Sequence, residues 1–195
     1  MAVIVEGIVH PGHYPVVYRH AEVLPGGYRI KNALPKGYMI PRGTYVEIKA
    51  DKLEANICKV GQIVGGGSDT AIRVAKGHLF VKGDFVMLSG KKQSKKVQSI
   101  DTSHPDYDVL TVDAALTGAS AGVVLVEAKD AHETTAVPKF IPNGFVDREK
   151  EYKDGDTCVS VGCRGILIHG NIPVPTEFVD GIHMKNNANV LIVSQ

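Results

Sequence analysis

The stretch Asp113-Ala114-Ala115-Leu116-Thr117-Gly118-Ala119-Ser120-Ala121-Gly122-Val123-Val124-Leu125-Val126-Glu127-Ala128 decides the fold class. It reads either as one alanine-rich helix or as a turn feeding a buried strand. Gly118 and Gly122 each cost a helix roughly 1 kcal/mol against alanine, and the valines that follow add χ1 cost. The interval between Asp113 and Glu127 also falls short of the about 20 apolar residues that cross a bilayer. Asp113 is expected to cap one helical turn through Leu116, after which the chain bends at glycine. The run from Gly122 to Val126 has no polar alternation, which suits a strand buried on both faces of a barrel or sandwich. The expectation is a turn, then a core strand.

Working outward, strand-like runs dominate: residues 3–9, 44–50, 55–60, 71–75, 84–88, 96–100, 108–112, 122–127, 157–161, 165–169 and 189–193. Tyr45-Val46-Glu47-Ile48-Lys49 alternates cleanly, as a half-buried strand does. No window holds a helical apolar stripe over ten residues. The fold class is all-β, or β with short helical turns, built as small β-barrel or sandwich modules. At 195 residues the chain can bury roughly 70 % of its unfolded surface, enough for one sizeable core or two small ones.

Lys36-Gly37-Tyr38-Met39-Ile40-Pro41-Arg42-Gly43-Thr44-Tyr45-Val46-Glu47-Ile48 aligns without gaps on Lys76-Gly77-His78-Leu79-Phe80-Val81-Lys82-Gly83-Asp84-Phe85-Val86-Met87-Leu88. Each copy reads as a glycine turn followed by an aromatic-Val-x-aliphatic strand, so two similar hairpins are expected. A weaker trace lies at Lys153-Asp154-Gly155-Asp156. Four units follow: an extended, Pro/Gly-rich N-terminal arm over 1–35, a β module over 36–128, a linker over 129–143 and a C-terminal β module over 144–195. Prolines cannot donate to a central ladder, so the arm is expected to lie against a partner, and its removal to leave the modules folded.

Composition excludes several classes of function. Net charge is +1, with no basic footprint for nucleic acid or a membrane. Three cysteines, Cys58, Cys158 and Cys163, lack CxxC spacing and suggest neither a disulfide framework nor zinc. Residues 1–15 have no basic n-region ahead of Pro11, so no signal peptide is expected. His10, His13 and His20 sit among prolines and read as turn histidines, not metal ligands. Residues 101–108 lack the spacing of a calcium loop and read as an Asx-type turn. Gly65-Gly66-Gly67-Ser68 lacks the Lys-Ser/Thr of a P-loop and reads as a flexible loop. Lys91-Lys92-Gln93-Ser94-Lys95-Lys96 reads as a solvated hairpin tip. No catalytic constellation emerges, and no cofactor or metal is expected.

Lys82-Gly83-Asp84-Phe85-Val86, Ser99-Ile100-Asp101, residues 109–116 and 121–128 resemble the head fiber and capsid decoration proteins of tailed bacteriophages. The likeness is greatest to those of phages and prophages of Bacteroides-type bacteria. Pro142-Asn143-Gly144, Val159-Ser160-Val161, Arg164-Gly165-Ile166-Leu167 and Ile172-Pro173-Val174-Pro175 resemble the closing module of such proteins. The resemblance covers residues 36–195 and implies a small β-rich protein bound outside an icosahedral head, commonly as a trimer. It implies synthesis in the bacterial cytoplasm and residence on the virion surface, with the major capsid protein as partner.

Two other readings compete. Exposed tyrosines would suit a carbohydrate- or cell-surface-binding domain, although the chain lacks tryptophan. A small β-barrel enzyme would place His or Cys in a cleft. The expected function is a non-enzymatic virion protein, with Tyr14, Tyr18, Tyr28, Tyr38 and Met39 as its partner contacts, since aromatic residues dominate interfaces.

Overall fold

The computed structural model describes residues 16–153, 155, 157–169 and 174–193, with side chains from Glu22 onward. The expected strand at 3–9 and Tyr14 lie outside the described residues. Apart from one 3-10 turn at Thr176–Phe178, every regular element among the described residues is a strand. The protein is nearly all β.

Six strands form a closed barrel. They are β6 (Val60–Gln62), β7 (Ala71–Ala75), β8 (Phe85–Leu88), β9 (Ser94–Asp101), β10 (Tyr107–Val112) and β11 (Val124–Ala128). Their spatial order is β6-β11-β8-β9-β10-β7. A bridge from Ile63 to Val74 and a hydrogen bond from Val64 N to Arg73 O (2.9 Å) join the two ends. Strands β8 to β10 run in sequence and β11 returns beside β8, a Greek key. Closure removes free sheet edges. Ile72, Val74, Phe80, Val86, Leu88, Val97, Leu110 and Leu125 fill the interior.

The second unit uses β2 (Tyr28–Ile30), β4 (Tyr45–Lys49), β5 (Glu54–Ile57), β12 (Gly144–Val146), β14 (Cys158–Val159) and β15 (Val161–Ile168). Pairing runs β14-β2-β5-β4-β12-β15. Only Ser160 separates β14 from β15, so the path returns on itself and closes a ring. Beyond it, β1 (Val16–Val23) lies antiparallel along β15, and β18 (Asn187–Val193) runs parallel on β15. Strands β16 (Val179–Asp180) and β17 (His183–Met184) extend the sheet from β18. A two-stranded ribbon, β3 (Met39–Ile40) with β13 (Lys150–Glu151), stands apart from both sheets.

The opening stretch settles where ring and barrel meet. Gly118 and Gly122 take φ of +94° and +86°, outside helical space, and the chain turns there. Strand β11 is buried at every position. Leu125 points into the barrel, whereas Val124, Val126 and Ala128 join the core of the ring with Tyr45, Ile57, Phe145 and Val161. Asp113 caps no helical turn. Its Oδ1 accepts from Lys96 N (3.0 Å), which ties it to β9.

The repeated segments open two antiparallel hairpins, β4–β5 and β8–β9, one in each unit. Gly43 and Gly83 occupy matching turns at φ +87° and +96°. Thr44 Oγ1 donates to Pro41 O (2.6 Å), and Asp84 Oδ2 accepts from Val81 N (2.8 Å), so each copy braces its turn with the residue after glycine.

The sheets do not divide as the sequence suggests. The ring takes strands from the expected arm, from the first module and from the last, because each strand must pair on both sides. The described part of the arm, from residue 16 on, belongs to the fold: β1 pairs with β15, and β2 is wedged between β14 and β5. Residues 129–143 are not a free linker. Lys129 N bonds Val137 O (3.0 Å), Ala136 N bonds Lys92 O (2.9 Å), and Ala136 is fully buried. The run at 55–60 also splits, β5 ending at Ile57 in the ring and β6 starting at Val60 in the barrel.

Candidate interaction surface

Ribbon β3–β13 offers exposed apolar side chains. Lys150 pairs with Ile40 and Glu151 with Met39. Hydrogen bonds from Tyr152 N to Tyr38 O (2.8 Å) and Gly37 N to Tyr152 O (2.9 Å) extend the pairing. Ile40 and Tyr152 turn inward and are buried, which anchors the ribbon to the ring core. Tyr38 and Met39 remain 38 % and 48 % exposed. Exposed Lys36, Lys150, Glu151 and Lys153 flank them. An aromatic residue and a methionine within a charged rim have the composition of an interface centre.

The other expected contacts fare differently. Tyr28 is only 3 % exposed and belongs to the ring core, so it is not an outward anchor. The short strand β2 has ladders on both sides, and its side chains at 28 and 30 must face inward. Tyr18 lies on β1 at a register shift between Val17 and Arg19. The ribbon's second strand escaped the sequence reading because Lys150 and Glu151 carry no apolar signal. Tyr152, a lone aromatic in a charged segment, is the trace that could have revealed it.

A second exposed feature lies at the far side of the barrel. His104 stacks on the Tyr107 ring at 3.7 Å, and the Arg73 guanidinium sits 4.7 Å from the same ring centre. Tyr107 is thereby sandwiched, leaving no open ring face for a sugar. Asp101 Oδ1 accepts from Ser103 N (3.0 Å), the Asx turn expected there, and this bond holds its carboxyl below the usual value. The glycine loop packs closely against β7. A Cβ on Gly66 would meet Arg73 Nη1 at 2.4 Å, and one on Gly67 would meet Ala71 O at 2.7 Å. Ser68 N closes the turn on Ala71 O (3.0 Å). The lysine cluster is only partly solvated, since Lys95 is buried and paired with Glu133.

Beneath this surface is a buried polar group. Asp108 binds Lys76 through Oδ1, and its Oδ2 lies 3.0 Å from His78 Nε2. His78 Nδ1 accepts from Phe80 N (3.2 Å), which leaves the ring proton on Nε2, facing the carboxylate. Burial opposes ionisation of Asp108, but the His78 ring facing it and the Lys76 ammonium outweigh it and hold the carboxyl below its usual value. At 2 % exposure His78 is sealed from solutes, so the trio braces the barrel. Burial pushes up the thiols of Cys58 and Cys163, against nucleophilic use. Among the described residues, no group of three or more His, Cys, Asp or Glu side chains is placed to hold a metal. No described helix is long and apolar enough to cross a membrane.

No protein-family model matches the chain, and no curated protein or solved structure is significantly similar to it.

Proposed function

We propose that the chain is a non-enzymatic bacteriophage virion protein, a head fiber or decoration protein that binds the outside of the capsid through the major capsid protein. The observation that carries this reading is the anchored ribbon, with Tyr38 and Met39 turned outward inside a charged rim. The resemblance of residues 36–195 supplies the partner and the homotrimer. The pairing of β1 supports assembly as well. Among the described residues it pairs only with β15, so its second edge has backbone groups to offer a neighbouring subunit. Repeated weak contacts on a shell gain strength through avidity once copies are linked.

Co-sedimentation with phage heads lacking this protein tests the reading. The wild-type chain should pellet with heads, and Tyr38→Ser/Met39→Ser should stay in the supernatant with an unchanged melting temperature. Wild-type chain that remains soluble beside such heads would refute capsid binding. Retention of the double variant on heads would move the contact away from the ribbon.

A further inference from the structure

Where the ring passes into the barrel, three ionisable side chains are shut away together. Lys59 follows β5, Asp84 precedes β8, and Glu127 lies on β11 between β6 and β8. Their exposures are 1 %, 8 % and 2 %. The row is set by backbone pairing. Glu127 N donates to Lys59 O (3.1 Å), and across the next ladder Glu127 pairs with Val86. Strand alternation places Glu127 on the face of Leu125, and Asp84 on the face of Val86, both inside the barrel. The trio therefore closes one end of an apolar interior.

Lys59 Nζ lies 2.6 Å from Asp84 Oδ2 and 3.9 Å from Glu127 Oε1. Asp84 is held by its turn, since Val81 N donates to the same Oδ2 (2.8 Å). Lys139 Nζ occupies Glu127 Oε1 at 2.6 Å, while Glu127 Oε2 is buried and has no hydrogen-bond partner among the described residues. Burial raises the Glu127 carboxyl above its ordinary value, although Lys59 and Lys139 pull against it. An ordinary buried ion pair would gain from satisfying every oxygen, and here one oxygen has no partner among the described residues. An amine, a carboxyl group and a proton carrier are thus held together away from bulk solvent.

We propose that Lys59 and Asp84 condense to an intramolecular isopeptide bond, with Glu127 moving the protons. The reaction starts from the neutral pair, the Lys59 amine beside an Asp84 carboxylic acid protonated on Oδ1, with Oδ2 left as the carbonyl oxygen that accepts from Val81 N. The lone pair of Lys59 Nζ attacks Asp84 Cγ, and the amide hydrogen of Val81 stabilises the negative charge on Oδ2, as an oxyanion donor does. Glu127 takes a proton from the attacking nitrogen and returns it to Oδ1. The C–Oδ1 bond breaks, and that oxygen leaves as water. One amine and one acid become one amide and one water, with no oxidant or external reagent. Burial of the Lys59 amine 2.6 Å from an oxygen of the Asp84 carboxyl supplies the proximity. The link would join the last residue before β6 to the turn that precedes β8 and clamp the junction of ring and barrel. It is independent of the capsid reading.

Intact-mass spectrometry of the denatured, reduced full chain tests this, with allowance for the initiator methionine. The expected mass is one water below that of the sequence, and proteolysis should yield a branched peptide joining the Lys59 and Asp84 segments. Lys59→Arg and Asp84→Ala should carry the full mass. Glu127→Gln should keep a β circular dichroism spectrum yet form the link slowly or not at all. Folded wild-type chain at full mass overturns the proposal, as does water loss mapped to other residues. Formation at the wild-type rate in Glu127→Gln would remove Glu127 from the reaction.

Discussion

Phe145 lies directly across from Gly162 in the β12–β15 ladder, and its ring covers the glycine so closely that a Cβ there would meet Phe145 Cζ at 2.3 Å. Phe145 is fully buried, so it has no free space into which to retreat. This contact forms the seam through which β12 joins β15 and the ring closes. Gly162→Ala should therefore destabilise the protein by about 1–3 kcal/mol, the usual cost of an overpacked core. Urea unfolding checks it. An unchanged midpoint would show that the seam can shift without loss.

Leu125 tests the double-sided burial of β11. It is fully buried inside the barrel, and its neighbours Val124 and Val126 face the ring core. Leu125→Ala should cost about 2–5 kcal/mol through the cavity it leaves. Leu125→Asp should prevent soluble expression, because an unpaired charge in that position costs several kcal/mol. A folded Leu125→Asp chain with the wild-type melting temperature would show that the strand is exposed.

Removal of residues 1–35 should unfold the ring, contrary to the expectation drawn from proline content. The deletion strips β1 from β15 and β2 from between β14 and β5, and it removes Tyr28, Ile30 and Leu34 from the core. Far-UV circular dichroism of the truncated chain should show lost β signal and no cooperative transition for the ring. Wild-type melting in that chain would mean that the ring stands without these strands.

Asp108 predicts a loss of stability in acid. Its folded pKa is depressed, so its stabilising effect is present in full above the unfolded value of about 4 and disappears as pH falls through the folded value. Below both values the protonated carboxyl favours neither state. Asp108→Asn should lower the melting temperature at pH 6 and flatten its decline between pH 4 and 2. Parallel melting curves for variant and wild type across that range would assign the acid sensitivity elsewhere.

Local features were legible in the sequence. The positive-φ turns at Gly43, Gly83, Gly118 and Gly122 follow from a conformation that other residues adopt only at a cost. The strands β4, β7, β8, β10 and β11 follow from apolar runs bounded by such turns. Two of the five expected contacts, Tyr38 and Met39, are exposed side chains, and Tyr28 is not.

By itself, then, the sequence determined that this chain is built of short strands and where many of its turns fall, because φ preference and side-chain alternation act within a few residues. Only the tertiary structure decided which strands share a sheet. Backbone pairing joins Arg29 to Cys158 and Phe145 to Tyr45, partners so distant along the chain that no local pattern connects them. Long-range pairing also turned Tyr28 inward, made β2 of the expected arm a wall of the ring and gathered Lys59, Asp84 and Glu127 in one sealed space. A lysine or a carboxylate in a sequence looks solvated until closure of the sheets around it excludes water.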